Sequence, residues 1–231
     1  MEENIDSSQK PQRVSIGAPG ELHRKTLRIA FVTLLLSTLY AVFRYNILGS
    51  VPIKDIPLFV FNKGISLSSL VLLTASFSIS PLTNLGLKIP SYYVNSRHVY
   101  GMIGFILTLI HVFMSLILFN PVMYAKFFLE NGSLTFTGGL SILGGILSIA
   151  ILWFYNWNSQ HQLKESKLFN QFTTSRKLIL TTLFFVAVHL FFMGYKNWIS
   201  PSTWQGGLPP ISLISFVVFS IGFTINIFGR K

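Results

Sequence analysis

Residues 96–119 read SRHVYGMIGFILTLIHVFMSLILF. After its basic start the run is apolar for long enough to cross a bilayer as a helix, yet it carries an imidazole, His111, about 13 residues in. Residues 175–195, SRKLILTTLFFVAVHLFFMGY, repeat the device, with His189 at the same interval from Arg176. An ionisable side chain is expensive in hydrocarbon, so one inside a span is a functional candidate by default. At ~1.5 Å of rise per residue, each ring lies about 20 Å from its basic end. That is past the midplane of a hydrocarbon core about 30 Å thick. If the two spans run in the same direction, both rings lie at one depth and can face each other across a flat cofactor, for which haem held by two histidines is the candidate.

The rest of the chain has the same character. Of its 231 residues 51% are hydrophobic and 11% charged, and the mean hydropathy is +0.57, which sets it apart from an ordinary soluble domain. Six apolar segments, near residues 27–46, 64–83, 99–119, 136–156, 175–195 and 209–228, predict an all-α, polytopic membrane bundle of six transmembrane helices. Helices are required because backbone polar groups find no water in lipid. The expected organisation is a disordered cytoplasmic tail over residues 1–26, followed by one six-helix, haem-binding membrane domain over residues 27–231. The polar stretch before the first span is longer than the charged region of a secretory signal and has no small-residue cleavage site, so that span is read as retained.

Basic residues set the expected orientation. With six spans, Lys10, Arg13, Arg24, Lys25, Arg28, Lys88, Arg97, Lys164, Lys167, Arg176, Lys177, Arg230 and Lys231 share one side, 13 of the 18. The positive-inside rule then predicts a multi-pass protein of the bacterial cytoplasmic membrane with both termini cytoplasmic, and makes the third and fifth spans parallel. The formal charge of +11 is scattered over membrane-flanking loops, which argues for anionic lipid and against nucleic acid as its partner.

The chain has no cysteine, which excludes thiolate clusters, thiol catalysis and disulfides. It has no GxGxxG with an acidic follower, no Walker loop and no appended soluble domain to hold a dinucleotide, which argues against a self-contained NAD(P)H oxidoreductase. None of its carboxylates falls within a span, which counts against a proton relay. Met193 offers His/Met ligation as an alternative to the two histidines. His98 is a candidate for a second haem, but its counterpart is Arg176 or Lys177, and arginine cannot ligate iron. His23 and His161 lie in polar segments. Gly138, Gly139, Gly144 and Gly145 read as helix-packing residues, while Gly104, two turns before His111, either clears a porphyrin edge or packs a helix. Two rivals stay open: a haem-free scaffold whose histidines make helix contacts, and a small transporter, for which few polar intramembrane residues are on offer.

Several short stretches resemble the ferric-reductase-like transmembrane domain, and more closely the haem-binding membrane subunit of the bacterial periplasmic methionine sulfoxide reductase system. They are Lys54-Asp55-Ile56, Ile79-Ser80-Pro81-Leu82, Ser96-Arg97-His98-Val99-Tyr100-Gly101 leading to His111, Leu134-Thr135-Phe136-Thr137-Gly138, and the spacing into His189. The resemblance implies haem b ligated by His111 and His189, with FMN or quinone as a further cofactor, and the departure at Arg176 reduces the expectation to one haem per chain. It implies an electron-transfer subunit of an oxidoreductase, taking electrons from a cytoplasmic flavin reductase or membrane quinol and delivering them to an outer redox protein or metal acceptor. Arg97 and Arg176 would steady haem propionates or a flavin phosphate, or else simply anchor the helices at the inner surface. The chain departs from the pattern at Arg176, where the family usually carries another histidine.

Overall fold

Every apolar segment is helical in the computed structural model, which describes residues 19–160 and 176–229, with side chains for 24–156 and 177–229. Among the described residues the long helices are α1 (Pro19–Val42), α2 (Phe61–Asn84), α3 (Ser91–Leu118), α4 (Phe136–Gln160), α5 (Arg176–Trp198) and α6 (Ile211–Phe228). All six are long and apolar enough to cross a membrane, and no strand is formed among the described residues. The protein is therefore an all-α, multi-pass membrane protein.

Two boundaries differ from expectation. α1 begins at Pro19, eight residues before the expected start of the first span at 27; proline suits a first helical turn, and the Glu, Leu, Arg and Lys that follow favour helix beyond the apolar boundary. Residues 1–18 of the expected tail lie outside the described residues. The second span starts early, because a 3₁₀ turn (Ile53–Asp55) and a π turn (Ile56–Val60) lead directly into α2. Pro57 sits at the start of that π turn, where its missing N–H forfeits no helical bond.

Hydrogen bonds between elements show how the helices alternate. Thr26 of α1 donates to Ser96 of α3 at 2.8 Å, and Asn84 at the end of α2 donates to the Gly229 carbonyl just past α6 at 3.4 Å. These ends share what we term the terminal face. At the far face Arg44, beyond α1, donates to the Leu208 and Pro209 carbonyls ahead of α6, and Asn62 at the start of α2 donates to Ser115 near the end of α3. Ser141, early in α4, meets His189, late in α5. α3 and α5 thus run in the same direction, from the terminal to the far face.

α2 packs against α1, α3 and α6, while α5 packs against α4 and α6. α3 and α4 meet over only a short stretch. Helices α2 to α6 therefore ring a central cavity, and α1 lies outside against α2. Large apolar side chains such as Phe31, Leu36 and Phe113 point outward, whereas Ser68, Ser69, Ser96 and Ser215 are buried between helices. Lipid supplies no hydrophobic force between helices, so close approach of small residues holds them. Gly144 is an instance: a Cβ there would stand 2.8 Å from the main-chain nitrogen of His189.

Candidate functional site

The ring of helices encloses a cavity of about 460 Å³ that is lined by both His111 and His189. That volume falls within the ~300–1,000 Å³ usual for small-molecule and cofactor sites. His111 projects from α3 seven residues before its far-face end, and His189 from α5 nine residues before its end. At ~1.5 Å per residue these are depths of about 10 and 14 Å.

Each imidazole is held by its Nδ1. Asn62 Nδ2 donates to Ser115 Oγ at 3.0 Å, which orients the amide and leaves Asn62 Oδ1 2.6 Å from His111 Nδ1. An amide oxygen only accepts, so His111 Nδ1 carries the proton and Nε2 the lone pair. His189 Nδ1 lies 2.8 Å from the main-chain carbonyl oxygen of Ser141, again an acceptor only, so the same tautomer follows. Ser141 Oγ donates back to the His189 carbonyl at 3.1 Å, tying α4 to α5 at this level. Neither Nε2 has a hydrogen-bond partner among the described residues. Gly145 lines the cavity beside His189, where a Cβ would approach the ring Nδ1 to 3.1 Å.

This is the arrangement found around metal-bound histidines, where the second ring nitrogen donates to a fixed acceptor and so sets tautomer and orientation. No group of three or more His, Cys, Asp or Glu side chains suited to a bare metal ion occurs among the described residues. Two free Nε2 lone pairs lining one cavity suit a group that brings its own remaining donors, as a porphyrin does. The residues present fit haem on those grounds.

No protein-family model and no curated protein matches the chain.

The structure brings His111 and His189 to one cavity but does not bring Arg97 to them. The Arg97 guanidinium donates to Ser80 Oγ, and its carbonyl accepts from Ser76 Oγ at 2.7 Å; both bonds staple α3 to α2 near the terminal face. Arg176 opens α5, and its side chain lies outside the described residues. His98 is exposed and does not line the cavity, and His161 lies outside the described residues. Gly104 faces Leu73 of α2, where a Cβ would come within 2.9 Å of the leucine side chain, so it packs a helix. Met193 does line the cavity, one turn beyond His189.

Two features lay outside the sequence reading. One is the pair of supports, Asn62 and the Ser141 carbonyl. The other is the number of hydroxyls in the wall, including Ser66, Ser69, Thr108, Ser148 and Thr182, where few polar residues were expected. Most of these donate within their own helix, as Thr108 does to Gly104, Ser148 to Gly145 and Thr182 to Leu178. That local bond lets serine and threonine sit in an apolar segment almost unnoticed.

Proposed function

We propose that this protein is a b-type haem protein that relays electrons across the bacterial cytoplasmic membrane, with His111 and His189 as the residues that would hold the haem iron. The observation that carries the reading is the matched pair of imidazoles. They come from parallel helices, they line one cavity, and each has its Nδ1 proton committed to a neutral acceptor while Nε2 is left free. Bound haem supplies a one-electron iron couple. The chain's own part is to hold the rings, through Asn62 and the Ser141 carbonyl, in a wall that also carries leucine, valine and phenylalanine side chains.

Among the described residues only one cluster of this kind supports a haem site. Near the terminal face Arg97 is bonded to Ser80, and the exposed His98 has no histidine opposite it in the described part of α5. This favours one haem per chain, nearer the far face. With the termini cytoplasmic, as the basic residues favour, electrons would enter from a cytoplasmic flavin reductase or membrane quinol. They would leave to an outer redox protein or metal acceptor. The resemblance to ferric-reductase-like membrane domains supports the same assignment.

The scaffold reading, in which the histidines only link helices, accounts for the two Nδ1 bonds and leaves both Nε2 atoms without a role. A dithionite-reduced minus oxidised spectrum of the detergent-purified protein decides between them. About one b-type haem per chain is expected, and none after haem supplementation would overturn the proposal.

A further inference from the structure

Three cations, Arg44, Lys63 and Lys126, line the far-face end of the same cavity. Lys63 donates to the Tyr124 hydroxyl at 3.1 Å, and its ammonium lies 5.0 Å from the ring centroids of both Tyr124 and Phe59. Lys126 donates to the main-chain carbonyl of Met193 at 2.5 Å. Arg44 is only 5% exposed and donates to the carbonyls of Leu208 and Pro209 and to the Gln205 amide oxygen. Every one of these acceptors is neutral. Among the described residues no carboxylate lines the cavity or pairs with any of the three cations.

Like charges gathered in a low-dielectric wall without a counter-ion are unfavourable, and an anion supplied by a ligand relieves them. The cost shows at Lys126, chiefly as lost hydration. Although the residue as a whole is exposed, its ammonium has lost hydration and lies near Lys63 and Lys196, which together lower its pKa to about 8. The position is specific as well. Lys63 adjoins Asn62, which holds His111, and reaches Tyr124 in the α3–α4 connection; Lys126 grips the carbonyl one helical turn beyond His189. Both ammoniums thus sit on the far-face side of the imidazoles.

We propose that Lys63 and Lys126, backed by Arg44, form a carboxylate-binding site at the far-face end of the cavity. The carboxylate has two candidate sources. One is the acid side chains of the haem, in which case the inference rests on the function proposed above; the other is a small free carboxylate entering from the far face.

The test uses full-length apoprotein in neutral detergent and three probes: haem b, haem b dimethyl ester and succinate. Haem and its ester are titrated by Soret absorbance, and succinate is read by thermal unfolding at constant ionic strength. If the haem carboxylates occupy the site, wild type binds haem at least about tenfold tighter than the ester. Lys63→Met/Lys126→Met abolishes that preference and Lys63→Arg/Lys126→Arg keeps it. If a free carboxylate occupies it, acid and ester bind alike, and succinate raises the wild-type midpoint by at least about 2 °C but not that of the methionine variant. Equal binding of acid and ester with no succinate effect overturns the site. Should neither porphyrin bind wild type, the haem reading fails by itself, and the succinate arm alone decides the anion site. If the double methionine variant does not fold, Lys126→Gln, at the exposed mouth, carries the same comparison.

Discussion

Replacing Asn62 by leucine separates a fixed imidazole from a merely buried one. Asn62 is 1% exposed, so no water replaces its amide, and the substitution deletes both the 2.6 Å acceptor for His111 Nδ1 and the 3.0 Å donor to Ser115. A neutral hydrogen bond contributes about 0.5–1.5 kcal/mol when made, and a buried donor left without a partner costs about 1–3 kcal/mol. Ser115 Oγ, 3.4 Å from Nδ1, is too distant where it stands to take over. Loss of an outer partner of this kind weakens metal-group binding roughly 10–100-fold, about 1.4–2.7 kcal/mol. Ser141→Ala is the internal control, because the 2.8 Å acceptor for His189 is a main-chain carbonyl that alanine retains. Haem titration of the two apoproteins, each shown to be monodisperse by gel filtration, should therefore give a tenfold or greater loss for Asn62→Leu and less than about threefold for Ser141→Ala. Equal losses, or none in Asn62→Leu, would refute the claim that Nδ1 bonding sets the ligand geometry.

Four further outcomes follow from the same coordinates. His111→Ala and His189→Ala should each abolish the reduced-haem absorbance while the protein stays in the membrane fraction; full retention of the spectrum in either would remove that residue as a ligand. His98→Ala should leave the haem content of the purified protein at the wild-type ratio. Gly144→Val should destabilise by about 1–3 kcal/mol, since any Cβ meets the His189 nitrogen at 2.8 Å and the Phe185 carbonyl at 2.9 Å, whereas Gly139→Ala, with nothing within 4 Å, should be tolerated in thermal unfolding. Lys126 keeps its proton only up to about pH 8 when folded but to about 10.5 when unfolded, so the unfolded state binds more protons between those values. Its contribution to stability therefore rises with pH across that window, and denaturant midpoints measured from pH 7 to 10.5 should rise more steeply in wild type than in Lys126→Met.

The spans were legible because lipid imposes a simple rule: about 20 apolar residues must form a helix. The histidine pair was legible for the related reason that an imidazole in such a run has no solvent to justify it. Lys63 was harder. It lies one residue before the apolar segment expected from 64, yet it falls inside a span that runs from Ile53, because the turns over 53–60 lead directly into α2. Asn62 reads in the sequence as a boundary residue, and its role depends on contact with a residue 49 positions away. Arg97 is the converse case. A basic residue beside such a motif suits a propionate or an anchoring role alike, and the Ser80 hydroxyl that receives it comes from packing of α2 on α3, which no local pattern encodes.

The thin contact between α3 and α4 has a consequence for supply. Leu116 and Ile146 stand on either side of that seam, and both line the cavity while remaining 69% and 57% exposed. A gap at that seam would open the cavity sideways onto acyl chains and make the bilayer its reservoir. An oily planar ligand partitioned into the membrane would then reach it by a two-dimensional search, at a concentration set by partitioning and not by its trace level in water. Occupancy can then be filled or renewed after insertion, without unthreading a helix, and its rate should follow the composition and fluidity of the surrounding lipid.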